Sequence, residues 1–256
     1  MHIESDIALI QRLADEAAEV VRPFFRRQLA IEDKADHSPV TAADRAVEAA
    51  IRRILERDRP EDGLFGEEYG VAPGRSARTW VIDPIDGTRG FIAGRPLFGT
   101  LLALVEQGRP VLGVISAPMA GDRWLGCTVG RPHATLNGRP IKVRPCESLG
   151  QARAATTHPH AFTREGHDSF ERVSTAAADM LYGGDCHNYG LLAAGFLDLV
   201  MEEGLSPYDW AALVPVIEGA GGLVTDWAGQ PLSMASEGRL LASGDRRVHE
   251  QALRLI

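Results

Sequence analysis

Ile10, Leu13, Ala14, Ala17, Val21 and Phe24 recur every three or four residues, the spacing of one helix face. The chain is therefore predicted to open on an amphipathic helix. Val47, Ala50, Ile51 and Ile54 repeat the pattern, and Thr41-Ala42-Ala43-Asp44 ahead of them resembles a capping box with Asp in place of the usual Glu. Beyond residue 79 the period shortens. Trp80-Val81-Ile82, Thr100 to Val105 and Val111 to Ser116 read as strands, the last two joined around Gln107-Gly108-Arg109. Asn137-Gly138 predicts a hairpin between Ala134-Thr135-Leu136 and Ile141-Lys142-Val143. The first half is thus expected to be two helices on an antiparallel sheet.

The second half alternates. A helix near Asn188 to Ala194 precedes a strand at Leu197 to Met201, and a helix from Asp209 precedes a strand at Leu223-Val224-Thr225. A short strand around Leu240-Leu241 and a C-terminal helix from Val248 follow. This order predicts a smaller α/β half. Pro215 falls inside one of these helices, where it should remove a hydrogen bond and kink the chain. The expected whole is one catalytic unit over 1–256, with halves at 1–147 and 148–256.

Composition narrows the function. The 256 residues are 45% hydrophobic and 24% charged, as in soluble globular proteins. No apolar run reaches the roughly 20 residues that span a bilayer, and no basic, then apolar, leader opens the chain. Cys127, Cys146 and Cys186 are too scattered for a metal site or a disulfide framework, which fits a cytoplasmic protein. The net charge of −8 argues against nucleic acid as a partner. It is compatible with a phosphate substrate if bound cations reverse the local charge.

The chemistry concentrates in acidic segments. In Asp83-Pro84-Ile85-Asp86-Gly87-Thr88 an apolar strand ends on one carboxylate and returns a second three residues later. Two carboxylates and the Ile85 carbonyl are hard oxygen donors suited to magnesium. If Thr88 opens a helix, its N–H and that of Gly87 face any anion there. Each segment also has a plainer reading. The DxxDG run alone is an Asx-type turn, Gly66-Glu67-Glu68 a solvated loop, Asp44 a helix cap, and Asp209 an acid placed by the helix dipole. Their combination carries the argument.

That combination resembles the inositol-monophosphatase type of phosphatase. Gly66-Glu67-Glu68, Trp80 through Thr88, Tyr208-Asp209-Trp210-Ala211-Ala212 and Glu218-Gly219-Ala220-Gly221-Gly222 stand in that family's order across almost the whole chain. The resemblance implies a layered αβαβα fold of mixed α/β class and a site of two or three magnesium ions. Glu67, Asp83 and the Ile85 carbonyl would hold the first ion. Asp83, Asp86 and Asp209 would hold the second. Thr88, paired with Asp44 or Glu67, would orient the attacking water, and the Gly87 and Thr88 amides would steady the phosphate. Relatives of this type commonly form homodimers.

Arg89-Gly90-Phe91, the stretch Ile92 to Thr100, and Gly183-Gly184-Asp185-Cys186-His187-Asn188-Tyr189-Gly190 resemble the family's histidinol-phosphatase branch. His187 and Asn188 depart from its usual residues. Asp185 and Glu202 are suitable acceptors for the amine and imidazole of histidinol phosphate, and Arg89 or Arg95 could meet its phosphate. Asp185 is otherwise a turn residue and Glu202 a solvent-facing strand end. His187 is expected to be a hydrogen-bonded structural residue, and Lys34 either faces the site or is a surface lysine. The competing expectations are a phosphatase of the same superfamily acting on inositol phosphate, fructose bisphosphate or a phosphoadenosine nucleotide, and a non-catalytic protein that has kept the fold.

Overall fold

The structure, a computed structural model, describes residues 3–28, 31–33 and 39–256; Lys34 lies outside them. The opening pattern folds as read. Helix α1 (Ile3–Val21) buries Leu9, Ile10, Leu13, Ala14, Ala17 and Val21, and a short ribbon, β1 (Ile31–Asp33) and β2 (Pro39–Thr41), leads into α2 (Ala42–Asp58). The capping box at the start of α2 is complete: the Thr41 hydroxyl accepts from the Ala43 N–H, and Asp44 accepts from the Thr41 N–H at 2.8 Å.

Eight strands follow as one sheet: β3 (Gly63–Gly66), β4 (Gly70–Ala72), β5 (Arg78–Asp86), β6 (Gly99–Glu106), β7 (Arg109–Ala117), β8 (Asp122–Cys127), β9 (His133–Leu136) and β10 (Arg139–Pro140). Helix α3 (Thr88–Ile92) lies between β5 and β6. The spatial order is β10-β9-β8-β7-β6-β5-β3-β4. A second sheet has the order β12-β11-β13-β15-β14. It uses β11 (Arg153–Thr156), β12 (Asp179–Tyr182), β13 (Leu199–Glu202), β14 (Leu223–Thr225) and β15 (Leu240–Ser243). Five helices accompany it: α4 (Arg164–Ala176), α5 (Cys186–Ala193), α6 (Pro207–Trp210), α7 (Leu213–Gly219) and α8 (Arg246–Leu253).

Strand alternation stacks these elements. On β5, Trp80 and Ile82 join the cluster of α1 and α2, while Val81 joins that of α5 and α7. The second sheet splits the same way. Val200 and Ala242 face α5 and α7, whereas Leu199, Met201 and Leu241 meet Phe170 and Val173 of α4 and Val248 and Ala252 of α8. Five layers result: helices, large sheet, helices, small sheet, helices. This is the expected αβαβα arrangement, each buried aliphatic or aromatic side chain contributing on the order of 1.5–3 kcal/mol.

Three local expectations are corrected. The first sheet is mixed, not antiparallel, because β3 runs parallel to β5. The hairpin at Asn137-Gly138 closes on only two residues, Arg139 and Pro140. The Ile141 N–H still donates to the Ala134 carbonyl at 3.0 Å, but the Val143 N–H goes to the Ala220 carbonyl at the end of α7, so the expected strand does not run on through Val143. The helix expected from Asp209 is two helices, α6 and α7. Pro215 is the third residue of α7, where no intrahelical acceptor exists for an N–H, so it costs no hydrogen bond. No described helix is long and apolar enough to cross a membrane.

Candidate active site

The site begins where β5 breaks register. Asp83 still pairs with Leu101, but Asp86 pairs with Gly99, and the shift between them is a bulge around Pro84. A bulge re-aims side chains at a strand end. It is pinned on three sides: the Ile85 N–H donates to Asp83 Oδ1 (3.0 Å), the Thr100 hydroxyl to the Pro84 carbonyl (2.8 Å), and the Thr88 hydroxyl to the Ile85 carbonyl (2.9 Å). Gly87 then turns the chain into α3 with φ 83°, a conformation that glycine adopts without steric cost. The Thr88 hydroxyl is thus bound to the Ile85 carbonyl, not to Asp44 or Glu67.

Asp209 arrives from the other half of the chain. It is the third residue of α6 and accepts from the Ser206 N–H at 2.6 Å. One carboxylate oxygen each of Asp83, Asp86 and Asp209 lie within 4.8 Å of one another. Burial pushes the Asp83 carboxyl well above the usual range, and Glu67, Asp86 and Asp209 push it further. Asp86 is raised well above it too, by burial first and then by Asp185 and Asp209, while the Cys186 N–H (2.7 Å) works against the shift. Like charges gathered out of water are unfavourable unless a proton or a cation joins them. An all-oxygen donor set of this kind fits a hard divalent cation.

The loop carrying Glu67 is braced by a residue the sequence reading passed over. Glu48, wholly buried on α2, accepts from the Glu68 N–H (2.7 Å), the Tyr69 N–H (3.2 Å) and Arg52 Nε (2.7 Å). A Cβ at Gly66 would collide with its carboxylate, so only glycine allows this approach. Glu67 itself holds the turn by donating its N–H to the Ile82 carbonyl at 3.1 Å. Asp44, buried nearby on α2, is raised by burial and also repelled by Glu68.

Beside the three aspartates lies a hollow of about 90 Å³ lined by Asp86, Asp185, Tyr189, Glu202 and Asp209, among others. Asp185 precedes α5 with φ 46°, and its Oδ2 lies 3.2 Å from where a Cβ on Gly87 would stand. Burial lifts its carboxyl to about 6, although Arg95 pulls the other way. Glu202 ends β13 as a buried residue and accepts from the Thr157 N–H at 2.8 Å. Burial raises it to about 7 against that hydrogen bond. Glu202 is therefore not a solvent-facing strand end. Larger hollows elsewhere, up to about 780 Å³ beside Arg78 and Arg109, hold no three-ligand cluster among the described residues.

Three further positions differ from expectation or stand apart. His187 is buried edge-on against Trp124 with ring centroids 5.5 Å apart, yet neither of its nitrogens has a hydrogen-bond partner. It is packed, not hydrogen-bonded. Arg89 is exposed on α3, one residue past Thr88; its carbonyl accepts from the Ala93 N–H at 3.1 Å. Tyr189, in the hollow, was not singled out from the sequence; its position one turn after Asp185 on a helix was the available signal.

Known proteins resemble the chain over its whole length. The family model for the inositol monophosphatase family matches residues 3–256. The chloroplastic bifunctional phosphatase IMPL2 of Arabidopsis thaliana is 46% identical over 94% of this chain and 72% of its own. A histidinol-phosphatase of Mycobacterium tuberculosis is 38% identical over 88% of each. The solved structure of an inositol monophosphatase from Zymomonas mobilis superposes with a TM-score of 0.91 at 52% identity, covering 100% of this chain and 98% of that one. With a family match from end to end and the fold shared, the chain belongs to the inositol monophosphatase family and is a phosphatase.

Proposed function

We propose that this phosphatase is a magnesium-dependent enzyme that hydrolyses L-histidinol phosphate to L-histidinol and phosphate, acting in histidine biosynthesis as a cytoplasmic homodimer. The observation that carries the substrate is the acidic hollow next to the three aspartates. A phosphate seated at Asp83, Asp86 and Asp209 leaves the organic half of the ester facing Asp185 and Glu202. Histidinol brings an amine and an imidazole, which are cationic or hydrogen-bond donating near neutral pH, and hydrogen bonds from such groups to carboxylates are the strong kind. The histidinol-phosphatase of Mycobacterium tuberculosis supports the same reading.

Asp83, Asp86, Asp209, Glu67 and the Ile85 carbonyl would hold two or three magnesium ions, in keeping with magnesium's preference for oxygen ligands. Bound there, magnesium would lower the pKa of a water and offset charge on the phosphoryl and leaving oxygens. The chain's own groups do the rest. The Thr88 hydroxyl donates its hydrogen bond to the Ile85 carbonyl, which leaves its oxygen to accept a hydrogen bond from the attacking water and so orient it. Glu67 and Asp44 orient that water from the α2 side. The Gly87 and Thr88 amides steady the phosphoryl oxygens, and Arg89 adds positive charge near the phosphate.

Inositol monophosphate is the second reading, favoured by the 52% identity to the Zymomonas mobilis enzyme. Phosphate release with magnesium across histidinol phosphate, inositol monophosphate, fructose bisphosphate and phosphoadenosine phosphate decides between them. Histidinol phosphate should give the highest kcat/KM. A higher value on inositol monophosphate would overturn the assignment.

A further inference from the structure

Burying a hydroxyl with no partner normally costs stability, because the group loses its hydrogen bonds to water. Tyr189 does this inside the candidate site. The residue is 3% exposed, its hydroxyl has no hydrogen-bond partner, and it lines the hollow that Asp185 and Glu202 also line. Tyr189 is carried on α5 and belongs to the buried cluster between the two sheets, of which Trp124 of β8 and Val200 of β13 are also members. The charges acting on that hydroxyl are Glu202 first, then Asp86, Asp209 and Asp185. The group thus stands among the metal-side and substrate-side carboxylates alike.

A buried polar group left unsatisfied in a native structure calls for an explanation. Structural packing alone does not supply one, since phenylalanine would fill the same volume without the penalty. A ligand does. Ionised Asp185 and Glu202 can only accept hydrogen bonds, whereas a neutral imidazole presents one donor nitrogen and one acceptor nitrogen. Two carboxylates can satisfy the first and cannot satisfy the second. A phenol hydroxyl donates as well as accepts.

We infer that the Tyr189 hydroxyl is a specificity determinant that hydrogen-bonds the nitrogen-bearing organic half of the substrate, donating to the ring nitrogen that Asp185 and Glu202 in their ionised forms cannot serve. This rests on the histidinol phosphate reading above and adds a named contact to it. It follows that Tyr189 discriminates between alcohols, not between phosphates.

The test is Tyr189→Phe, assayed beside the unmutated protein on histidinol phosphate and on p-nitrophenyl phosphate, which carries no ring nitrogen. Turnover of histidinol phosphate by the unmutated protein is measured first, and its absence would overturn both the substrate reading and this one. Given that turnover, kcat/KM for histidinol phosphate should fall at least about fivefold more than kcat/KM for p-nitrophenyl phosphate, the scale of one lost polar contact. The melting temperature should hold or rise, because no internal hydrogen bond is removed. Equal losses on the two substrates, or no loss on either, would overturn the inference about Tyr189 while leaving the substrate reading intact. A lower melting temperature with equal losses would assign the hydroxyl to the fold.

Discussion

Asp185 holds a positive φ of 46°, a conformation in which Asp and Asn are enriched and most side chains are strained. Asn is therefore the substitution that removes its charge without disturbing its backbone. Asp185→Asn should weaken kcat/KM for histidinol phosphate by about 1.5–3 kcal/mol, or roughly 10- to 150-fold. The quantity to read is the ratio of that loss to the loss on p-nitrophenyl phosphate, since it cancels general damage. A ratio near one would make Asp185 a turn residue only. A second residue-scale prediction lies away from the site. His249 is buried with both ring nitrogens bonded, Nδ1 to the Ser243 hydroxyl (2.6 Å) and Nε2 to the Thr225 hydroxyl (2.9 Å). Thr225 donates its proton to the Asp226 carbonyl, so it accepts from Nε2, and the neutral Nε2–H tautomer is satisfied at both ends. Burial, and to a lesser degree Arg246, lowers this imidazole to about 4, against about 6.5 in the unfolded chain. Below pH 6.5 the unfolded state then binds the extra proton at this position, so the contribution of His249 to stability should fall with acid between about pH 6.5 and 4, by up to about 3 kcal/mol. The raised carboxyls of Asp185 and Glu202, protonated first in the folded state, act in the opposite direction. Denaturant titrations across that range, repeated on His249→Gln, isolate it by difference: the variant should start less stable at about pH 7, and its deficit should shrink as the pH falls toward about 4.

At the level of elements, the Glu67 turn shows how a proposed ligand is aimed by a neighbour. Glu48 of α2 receives two N–H groups of that turn and is itself paired with Arg52. Glu48→Gln keeps the volume but brings an NH₂ where only acceptors are wanted. The expected result is a drop in melting temperature of several degrees. The magnesium needed for half-maximal rate should rise about tenfold, with turnover largely recovered at saturation. An unchanged magnesium requirement would mean that Glu48 stabilises α2 and nothing else. This brace also marks the limit of what the sequence reveals. Asp83, Asp86, Gly87 and Thr88 were legible because their chemistry lies within six consecutive residues. Asp209 and Glu202 were found through the resemblance. Glu48 and Tyr189 gain their roles only from tertiary neighbours far away in the chain. The same distinction holds for the elements. Helices α1 and α2 and strands β5 to β7 carry long, regular patterns. Helix α4 was missed because its buried apolar side chains are only Phe170 and Val173, too narrow a stripe for periodicity. Strands β3 and β11 were missed because Gly63-Leu64-Phe65-Gly66 and Arg153-Ala154-Ala155-Thr156 are short and rich in small residues. Strand direction has no local signature, so the parallel pairing of β3 with β5 was invisible too.

Across the whole molecule, the cluster draws on both sheets' surroundings. Asp83 and Asp86 come from the end of β5 in the large sheet, while Asp209 sits on α6, which follows β13 of the small one. Without a cation, carboxylates gathered within 4.8 Å repel across that junction. A cation that binds the folded state alone adds stability as RT ln(1 + [L]/Kd), about 2.7 kcal/mol at one hundred times Kd. The protein should therefore melt several degrees higher in saturating magnesium than in excess chelator. Calcium should raise the melting temperature as well, because it accepts the same oxygen ligands. It should fail to support turnover, because its looser geometry does not hold the water in line. Thermal melts in chelator, magnesium and calcium, paired with phosphate release, separate binding from catalysis. Asp209→Asn supplies the control. It removes one of the charges that repel, so its chelated form should melt at or above the unmutated chelated protein. It also removes a proposed ligand, so magnesium should add little to that melting temperature, and turnover should fall by about 10³-fold or more. Magnesium stabilising Asp209→Asn as much as the unmutated protein would place the ion elsewhere and remove Asp209 from the ligand set.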